Sequence, residues 1–390
     1  MFQADRGTTG EGVVIAVQAN YYWVRLAEGS SASAQGEAVM LLCTRRARLK
    51  KIGQQVWVGD RVAVEDIDWG SERGAIAQVM PRHTTLERPP VANAQLLLLV
   101  FALAEPELDP WQLSRFLVAA ESTGLAVALG LNKCDRISPE AQQQWRDRLI
   151  GWGYDPIIMS VQQGIGLDAV RQQLSGRISV VSGPSGVGKS SLINHLIPAV
   201  NQRVNAVSGK LARGRHTTRH VELFELSSES AAEFSTGFSA EFAGGGLLAD
   251  SPGFNQPTIT CAPEELGNYF PEVRQRLSQD ACQFGNCLHR DEPGCVVRGG
   301  RKWERYDHYL TFLAEAIARQ TALGQTAAAE ESVKRLSGEA GQVYYEPKLK
   351  TKRYRRPSRR SRHQNLKTLC GDIDELLDTA AEEEPDLESN

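Results

Sequence analysis

The 390-residue sequence is 41% hydrophobic and 23% charged, with a formal net charge of −3, which fits an ordinary protein of two or three domains with an ample core. Its longest apolar run, which begins at Leu96, is too short to span a bilayer, and its start has no basic-then-apolar signal pattern. Seven cysteines are an odd number, and three lie close together beside a histidine, which favours a metal site over a disulfide framework. We therefore expect a cytoplasmic protein in a reducing compartment.

The first 88 residues predict a β-barrel. Five short segments rich in β-branched or apolar residues stand between turn residues, without a helical period. They are Glu11–Val17, Tyr21–Leu26, Ala38–Cys43, Arg61–Asp66 and Ala75–Met80. Five such strands favour a closed barrel of the OB-fold type, a class that often binds nucleic acid. We expect residues 1–88 to form this RNA-binding domain, with a boundary at Pro89-Pro90.

A basic cluster follows the third predicted strand. It consists of Arg45, Arg46, Arg48, Lys50 and Lys51. These side chains would suit the phosphate backbone of an RNA. Charge runs are usually just solvated faces, however, and both interpretations stay open.

From residue 95 the pattern changes to strands that alternate with helices. The run Leu96–Phe101 is apolar on both faces, as a buried parallel strand should be. The elements that follow are helices near Pro110–Thr123, Pro139–Gly151 and Leu167–Leu174, and strands at Ala126–Leu131 and Pro156–Ser160. This alternation predicts an α/β domain with a mainly parallel sheet, which we place at residues 89–262.

A phosphate-binding loop follows the apolar run Ile178–Val181. Its spacing is G-x-x-x-x-G-K-S, between a strand and the start of a helix. The loop residues are Gly183, Pro184, Ser185, Gly186, Val187, Gly188, Lys189, Ser190 and Ser191. The glycines let backbone N–H groups converge on phosphate oxygens, and the helix dipole adds to that field. We expect Lys189 to reach the β- and γ-phosphates and Ser190 to offer a hydroxyl to Mg²⁺.

The strand Ala126–Leu131 ends in a motif that reads guanine. Its residues are Asn132, Lys133, Cys134 and Asp135, with the pattern N-K-x-D. The Asp135 carboxylate can accept both the N1–H and the exocyclic amino group of guanine. Asn132 can bond the other edge of the base or tie down the loop, and the stem of Lys133 can pack on the ring. Together with the phosphate loop, this motif predicts guanine specificity.

The order of these two motifs is inverted. In an ordinary GTPase the phosphate loop comes first, whereas here the base motif precedes it. Both can serve one nucleotide if the chain enters the same sheet at a different strand, because circular permutation is tolerated where termini lie together at the surface.

Two further segments predict the centre of hydrolysis. The stretch Gly214–His220 contains Thr217 and Thr218, and either threonine could close onto Mg²⁺ when the γ-phosphate is present. The D-x-x-G sequence that starts at Asp250 would hold Mg²⁺ through water and face the γ-phosphate with the Gly253 N–H.

The residue after this motif is Phe254, where many GTPases carry a glutamine that orients the attacking water. Phenylalanine cannot do so. His216 is our candidate for that role, with His220 as the alternative, although His216 could also simply shape its loop. Lys189 is the other candidate catalytic residue.

A cluster of thiols and one imidazole predicts a structural zinc site. Cys282, Cys287, His289 and Cys295 are separated by turn-forming residues and would fill all four positions of a tetrahedral Zn²⁺. The alternative is a set of free buried cysteines. A helix near Trp303–Ala322 follows, with an apolar stripe that favours core packing. We assign residues 263–346 to this zinc-binding, mainly helical domain.

The tail, residues 347–390, is divided by charge. Residues 348–367 carry ten Lys or Arg and no acid, and residues 372–390 carry nine Asp or Glu and no base. The basic block predicts a disordered arm suited to an RNA backbone, against the alternative of a solvated tail masked by its own acidic end.

The motif order NKCD, GPSGVGKSS, GRHTT, DSPGF and Cys–Cys–His–Cys, behind a barrel, closely resembles the RsgA (YjeQ/YloQ) family. The resemblance covers about residues 10–320 and implies a circularly permuted GTPase that acts in assembly of the small ribosomal subunit, with hydrolysis stimulated by that subunit. It implies that the barrel contacts ribosomal RNA, that the cofactors are one structural Zn²⁺ and Mg²⁺ with GTP, and that His216 is linked to hydrolysis. We expect a monomer with no membrane partner.

Two competing functions remain. The segment SGPSGVGKSS also resembles the phosphate loop of guanylate kinases, although a kinase has no use for N-K-x-D or D-x-x-G. A non-catalytic RNA-binding scaffold is the other alternative.

Overall fold

The computed structural model describes residues 8–27, 39–87, 89–197, 221–226, 245–250, 257–299, 303–337 and 343–347. The chain divides into two compact units, Met1–Ile317 and Ala318–Asn390. Within the described residues, no helix combines the length and the apolar character that a membrane span needs.

The amino-terminal part forms a closed five-stranded barrel. Its strands are β1 (Gly10–Gln18), β2 (Tyr21–Leu26), β3 (Met40–Arg45), β4 (Arg61–Asp68) and β5 (Arg73–Val79). Around the barrel they run β1–β2–β3–β5–β4, and β3 and β5 are the parallel pair. Alternate residues such as Val14, Val24 and Leu41 fill the interior, as the two-residue period of a strand requires. This order is that of an OB-fold, so the predicted barrel is confirmed.

The structure of the basic cluster differs from the prediction, which placed no helix in this part of the chain. Helix α1 (Ala47–Lys51) forms within it, and only its Leu49 is buried, which is too little apolar surface to give a detectable period. Arg45 donates to the Gln54 carbonyl, and Arg46 donates to the carboxylates of Glu65 and Asp66. Two of the five basic residues therefore stabilise the barrel itself.

The α/β part contains a six-stranded sheet, called the nucleotide sheet below. Its strands are β8 (Leu96–Ala102), β9 (Ala126–Asn132), β10 (Ile157–Ile158), β11 (Ile178–Ser182), β12 (Leu223–Glu225) and β13 (Leu247–Asp250). They run β10–β9–β8–β11–β13–β12, and all are parallel except the edge strand β12. Every residue of β8 and β11 is buried. A small hairpin, β6 (Thr85–Glu87) and β7 (Pro90–Ala92), precedes the sheet.

Helices cover both faces of the nucleotide sheet. They are α2 (Pro110–Glu121), α3 (Pro139–Gly151), α4 (Leu167–Leu174) and α5 (Lys189–Leu196). The side chains of Asp109 and Ser138 cap α2 and α3, and each helix then begins with a proline. One core contains residues of α2 and α3, and a second contains residues of α4 and α5. The predicted layered α/β domain is confirmed.

The barrel shares a core with the nucleotide sheet. Val13 and Ile15 of β1 belong to the same buried cluster as Val221 and Leu223 beside and within β12. Ala16 forms an antiparallel bridge with Glu222, and Arg25 of β2 makes an ion pair with Glu225.

Residues 257–317, called the Cys/His region below, follow the last sheet strand. They contain a 3₁₀-helix (Leu266–Tyr269), α6 (Pro271–Leu277) and the first part of α7 (Tyr306–Ser332). Tyr309, Phe312, Leu313 and Ala316 of α7 are buried in the core of this region. Helix α7 begins later and ends later than the predicted Trp303–Ala322. Within Ala318–Asn390, a hairpin of β14 (Val333–Ser337) and β15 (Val343–Pro347) follows.

The Cys/His region rests on α2 and α3 around a buried charge pair. Arg305 has no exposed surface, and its guanidinium donates to both oxygens of Glu272, at 2.7 and 2.5 Å. Trp152, at the end of α3, lies 4.9 Å from this guanidinium and covers it. Three ion pairs surround this contact: Arg115–Glu315, Arg148–Glu304 and Arg274–Glu121.

Candidate nucleotide and metal sites

The phosphate loop lies between β11 and α5, as predicted. A side chain at Gly183 would come within 2.0 Å of the Val100 carbonyl oxygen, so the loop can leave the sheet here only with glycine. The Nζ of Lys189 donates to the carbonyl oxygens of Gly183 (2.8 Å) and Pro184 (2.5 Å). These bonds hold the ammonium group inside the curve of the loop, where it could meet a phosphate. Ser190 and Ser191 are exposed in the first turn of α5.

The base motif touches the phosphate loop directly. The Nδ2 of Asn132 donates to the Val187 carbonyl at 2.8 Å. Gly188 has a φ of +100°, and a Cβ there would lie 2.4 Å from the Asn132 amide nitrogen. The absence of a side chain at Gly188 therefore makes room for Asn132. The two motifs lie at one edge of the sheet because β9 and β11 both flank β8 and end there.

Lys133 makes a second tie between these segments. It has a left-handed φ of 62°, and its Nζ donates to the Gly186 carbonyl at 2.9 Å and to the Glu105 carbonyl. The carboxylate of Glu105 in turn pairs with Arg136. The stem of Lys133 therefore extends from the base motif to the phosphate loop.

Cys134 and Asp135 lie in a 3₁₀ turn, Cys134–Arg136. Burial raises the pKa of the Cys134 thiol, so this group stays neutral and packs in the core. The Asp135 carboxylate is half-buried, and no residue in the described part of the chain donates to it. It can therefore accept hydrogen bonds from a ligand.

The candidate residues for hydrolysis are described only in part. Asp250 is the last residue of β13. Its backbone pairs with that of Val181 of β11, which lies two residues before the phosphate loop. His216, Thr217, Thr218, His220 and Gly253 lie outside the described residues, so their roles stay predictions.

The sequence analysis missed one loop of this site. The loop Ser160–Ile165 follows β10, and its Val161 N–H donates to Asn132 Oδ1 at 3.1 Å. The Met159 carbonyl, just before it, accepts from the Cys134 N–H at 3.2 Å. The sequence could have indicated this loop, because it follows a predicted parallel strand, and parallel strands end at the same edge of the sheet.

The four predicted metal ligands form one cluster. The ligand atoms of Cys282, Cys287, His289 and Cys295 all lie within 4.8 Å of one another. The Nδ1 of His289 is 3.5 Å from Cys295 Sγ and 3.7 Å from Cys282 Sγ. A tetrahedral zinc with bonds of about 2.3 Å to sulfur and about 2.0 Å to nitrogen has edges of about 3.5–3.8 Å, so the set fits Zn²⁺.

The chemistry of these donors also fits a cation. Burial raises the pKa of Cys287 to about 12, and its neighbouring thiols act in the same direction, so a thiolate there needs a nearby positive charge. Burial lowers the pKa of His289, which keeps the imidazole neutral, as a metal ligand must be.

Surrounding groups hold the ligands in place. The Arg298 N–H donates to Cys295 Sγ at 3.4 Å. From α7, the hydroxyls of Tyr306 and Tyr309 donate to the carbonyls of His289 (2.9 Å) and Leu288 (2.8 Å). The apolar stripe of α7 therefore packs the core, as predicted, and also orients the ligand loop.

Comparisons with known proteins agree with this geometry. The family model "RsgA GTPase" matches residues 79–260. The small ribosomal subunit biogenesis GTPase RsgA of Trichormus variabilis is 57% identical over 379 residues, which are 93% of this chain and 98% of that protein. Its Synechocystis namesake is 51% identical over 382 residues, 94% and 96% of the two chains.

Solved structures are similar as well. The crystal structure of YjeQ from Thermotoga maritima has a TM-score of 0.61 and 27% identity, and it covers 79% of this chain and 99% of its own. YloQ, described as a circularly permuted GTPase, has a TM-score of 0.62 and 27% identity, with 82% and 99% covered.

Proposed function

The chain belongs to the RsgA GTPase family, and on that premise we propose that it hydrolyses GTP to GDP and phosphate during maturation of the small ribosomal subunit. The family resemblance inferred from the motif order is thereby confirmed. The observation that carries the proposal is the 2.8 Å hydrogen bond from Asn132 to the Val187 carbonyl, which joins the base motif to the phosphate loop as one site.

Each part of the site has a distinct role toward GTP. Asp135 accepts two hydrogen bonds from the guanine edge, and the Lys133 stem supports the ring. The loop Gly183–Ser191 surrounds the phosphates with N–H groups, and Lys189 neutralises charge on the β- and γ-phosphates. Adenine has no donor pair for Asp135, so the site prefers guanine.

The hydrolytic half relies on the end of β13 and on the segment before β12. Ser190, Asp250 and Thr217 or Thr218 would hold Mg²⁺, which neutralises phosphate charge when bound. The Gly253 N–H would face the γ-phosphate. His216 orients the attacking water in the role that Phe254 cannot fill.

The Cys282–Cys287–His289–Cys295 cluster would hold one structural zinc ion, because all four positions of a tetrahedral ion come from the protein. For ribosomal RNA, the exposed side chains of Arg48, Lys50 and Lys51 on α1 are available to phosphates, as is the basic block 348–367 outside the described residues. A protein of this function acts in the cytoplasm, and we assign it as a monomer without a membrane partner.

The replacement Asp135→Asn tests the guanine assignment. An amide can donate to the carbonyl that xanthine carries in place of the guanine amino group. GTP affinity should fall about 10- to 100-fold, since hydrogen bonds to a charged group contribute about 1.5–3 kcal/mol, and XTP affinity should rise. Asp168→Asn, at an exposed carboxylate on α4, is the matched control. Equal GTP affinity in both variants would contradict the assignment.

Turnover measurements test the rest of the function. GTP hydrolysis by the full chain should be slow alone and faster with purified small ribosomal subunits. Absence of turnover under both conditions would favour a scaffold, and GTP consumption that depends on added GMP would favour a kinase.

A further inference from the structure

Strand β12 lies between the barrel and the nucleotide sheet. On one side its three residues pair antiparallel with β13, at Leu223–Ala249, Phe224–Leu248 and Glu225–Leu247. On the other side the preceding residue, Glu222, forms a bridge with Ala16 of β1. In the described part of the chain, β12 therefore joins the barrel to the sheet through the backbone.

This strand also reaches the nucleotide edge of the sheet. Its antiparallel register carries its amino end toward Asp250, the final residue of β13. Asp250 is paired in turn with Val181 of β11, just before the phosphate loop. A displacement of β12 along its own axis would thus act on the backbone that presents a proposed Mg²⁺ ligand.

The barrel fixes β12 with side chains as well. Val221 and Leu223 are 6% and 2% exposed and share a core with Val13 and Ile15 of β1. Arg25 of β2, whose side chain is 10% exposed, pairs with Glu225, which is 49% exposed. A three-residue edge strand makes few hydrogen bonds of its own, so its position depends strongly on these barrel contacts.

We propose that β12 couples the barrel to the hydrolytic centre, and that Arg25 and Glu225 are positioning residues for GTP hydrolysis. When RNA holds the barrel, the Arg25–Glu225 pair and the Ala16–Glu222 bridge hold β12 and, through β13, Asp250. In the sequence, His216 and the proposed switch threonines come five to seven residues before β12, outside the described residues. This coupling would explain how the small subunit stimulates GTP hydrolysis, so the inference rests on the proposed function.

The test separates stimulation from binding in the full-length protein. We compare Glu225→Gln, Arg25→Glu and the charge swap Arg25→Glu/Glu225→Arg with the wild type. Asp155→Asn, which breaks the exposed Arg146–Asp155 pair within the GTPase part, is the matched control. For each protein we measure single-turnover GTP hydrolysis alone and with saturating purified small subunits, the affinity for subunits, and the affinity for GTP.

Glu225→Gln should reduce the stimulated rate about fivefold or more, the lower range of allosteric coupling, while both affinities stay at the wild-type values. The swap should recover stimulation that Arg25→Glu loses, and Asp155→Asn should match the wild type. Since Glu225 is half-exposed, its replacement does not threaten folding.

Stimulation in Glu225→Gln equal to that of the wild type would overturn the proposal, as would a parallel loss of subunit affinity, which would make the pair a binding surface. A swap no better than Arg25→Glu would also overturn it. Failure of the proposed function is a different result: the wild type itself would show no stimulation.

Discussion

The barrel joins the nucleotide sheet through an edge strand and a shared apolar core, whereas the Cys/His region rests on helices α2 and α3. At the first joint, Val13 and Leu223 belong to one buried cluster. At the second, Val118 of α2 shares a buried apolar cluster with Phe270 and Phe312, Trp152 covers the buried Arg305–Glu272 pair, and three further ion pairs cross the same joint. Apolar cores are non-directional and strong, while charge pairs depend on geometry. The barrel and the sheet should therefore unfold together, and the Cys/His region, whose joint relies more on charge pairs, should open first.

Removal of the proposed zinc ion should have the largest effect on the difference between the two joints. Chelation, or Cys295→Ala, should unfold the Cys/His region while the barrel and the sheet stay folded, because metal binding in small zinc peptides contributes about 10–16 kcal/mol to folding. Protease digestion should then cut within residues 257–317 and spare residues 89–197. Cys261→Ala, outside the cluster, is the control. Full-length protein that carries no zinc, or an unchanged digestion pattern after chelation, would contradict the prediction.

Glu272→Ala should have the next largest effect. It leaves the fully buried Arg305 charge without its carboxylate, and such losses cost about 3–5 kcal/mol. The free energy of unfolding from urea titration should fall by that amount, whereas Glu264→Gln, at an exposed position, should leave it unchanged. The double variant Glu272→Met/Arg305→Met should recover much of the loss, because it removes both charges. No recovery would mean that packing, and not the unpaired charge, causes the loss.

Leu223→Ala tests the apolar joint. Loss of a buried leucine side chain costs about 2–5 kcal/mol, with the lower part expected for a short edge strand that can relax. Fluorescence and circular dichroism should report one shifted transition for the barrel and the sheet. Leu323→Ala, which is 58% exposed, should have almost no effect. Two separate transitions would show that the barrel is thermodynamically independent.

The rim of the second joint should contribute least. Arg115 donates to both Glu315 oxygens, at 2.7 and 2.6 Å, but both side chains are partly exposed, so Glu315→Gln should cost less than about 1 kcal/mol. The hydrogen bond from Arg115 lowers the pKa of Glu315. The stabilisation is therefore complete above the ordinary glutamate pKa of about 4.3 and is lost as the pH falls through the lowered value. Urea titrations of wild type and variant at pH 7 and at acidic pH should converge at the lower pH.

The sequence predicted the parts of the molecule whose signals are local. The strand Tyr21–Leu26 and the helices Pro139–Gly151 and Leu167–Leu174 have the bounds expected from their patterns. Asn132 was expected to bond the other edge of the base or tie down the loop, and the structure shows it bonded to the Val187 carbonyl of the phosphate loop. Motif chemistry and sheet topology were sufficient for these.

The parts that escaped prediction depend on partners distant in the chain. A three-residue strand such as β12 has no period, and its bridge to Ala16 joins residues about two hundred positions apart. The pairing of Arg46 with Glu65 and Asp66, and of Arg305 with Glu272, exists only once the chain is folded. The sequence alone does not distinguish charged side chains that form such ion pairs from charged side chains that are available to bind RNA.

The position of β12 has a consequence for synthesis of the chain. Translation completes β12 before β13, yet in the sheet β12 lies outside β13. A growing polypeptide can thus have a complete barrel, base motif and phosphate loop before residues 247–250 leave the exit tunnel. Until then, β12 has no neighbouring strand in the sheet. Because domains fold as they emerge, the seam between the barrel and the sheet closes late, and an unfinished chain has no complete place for GTP.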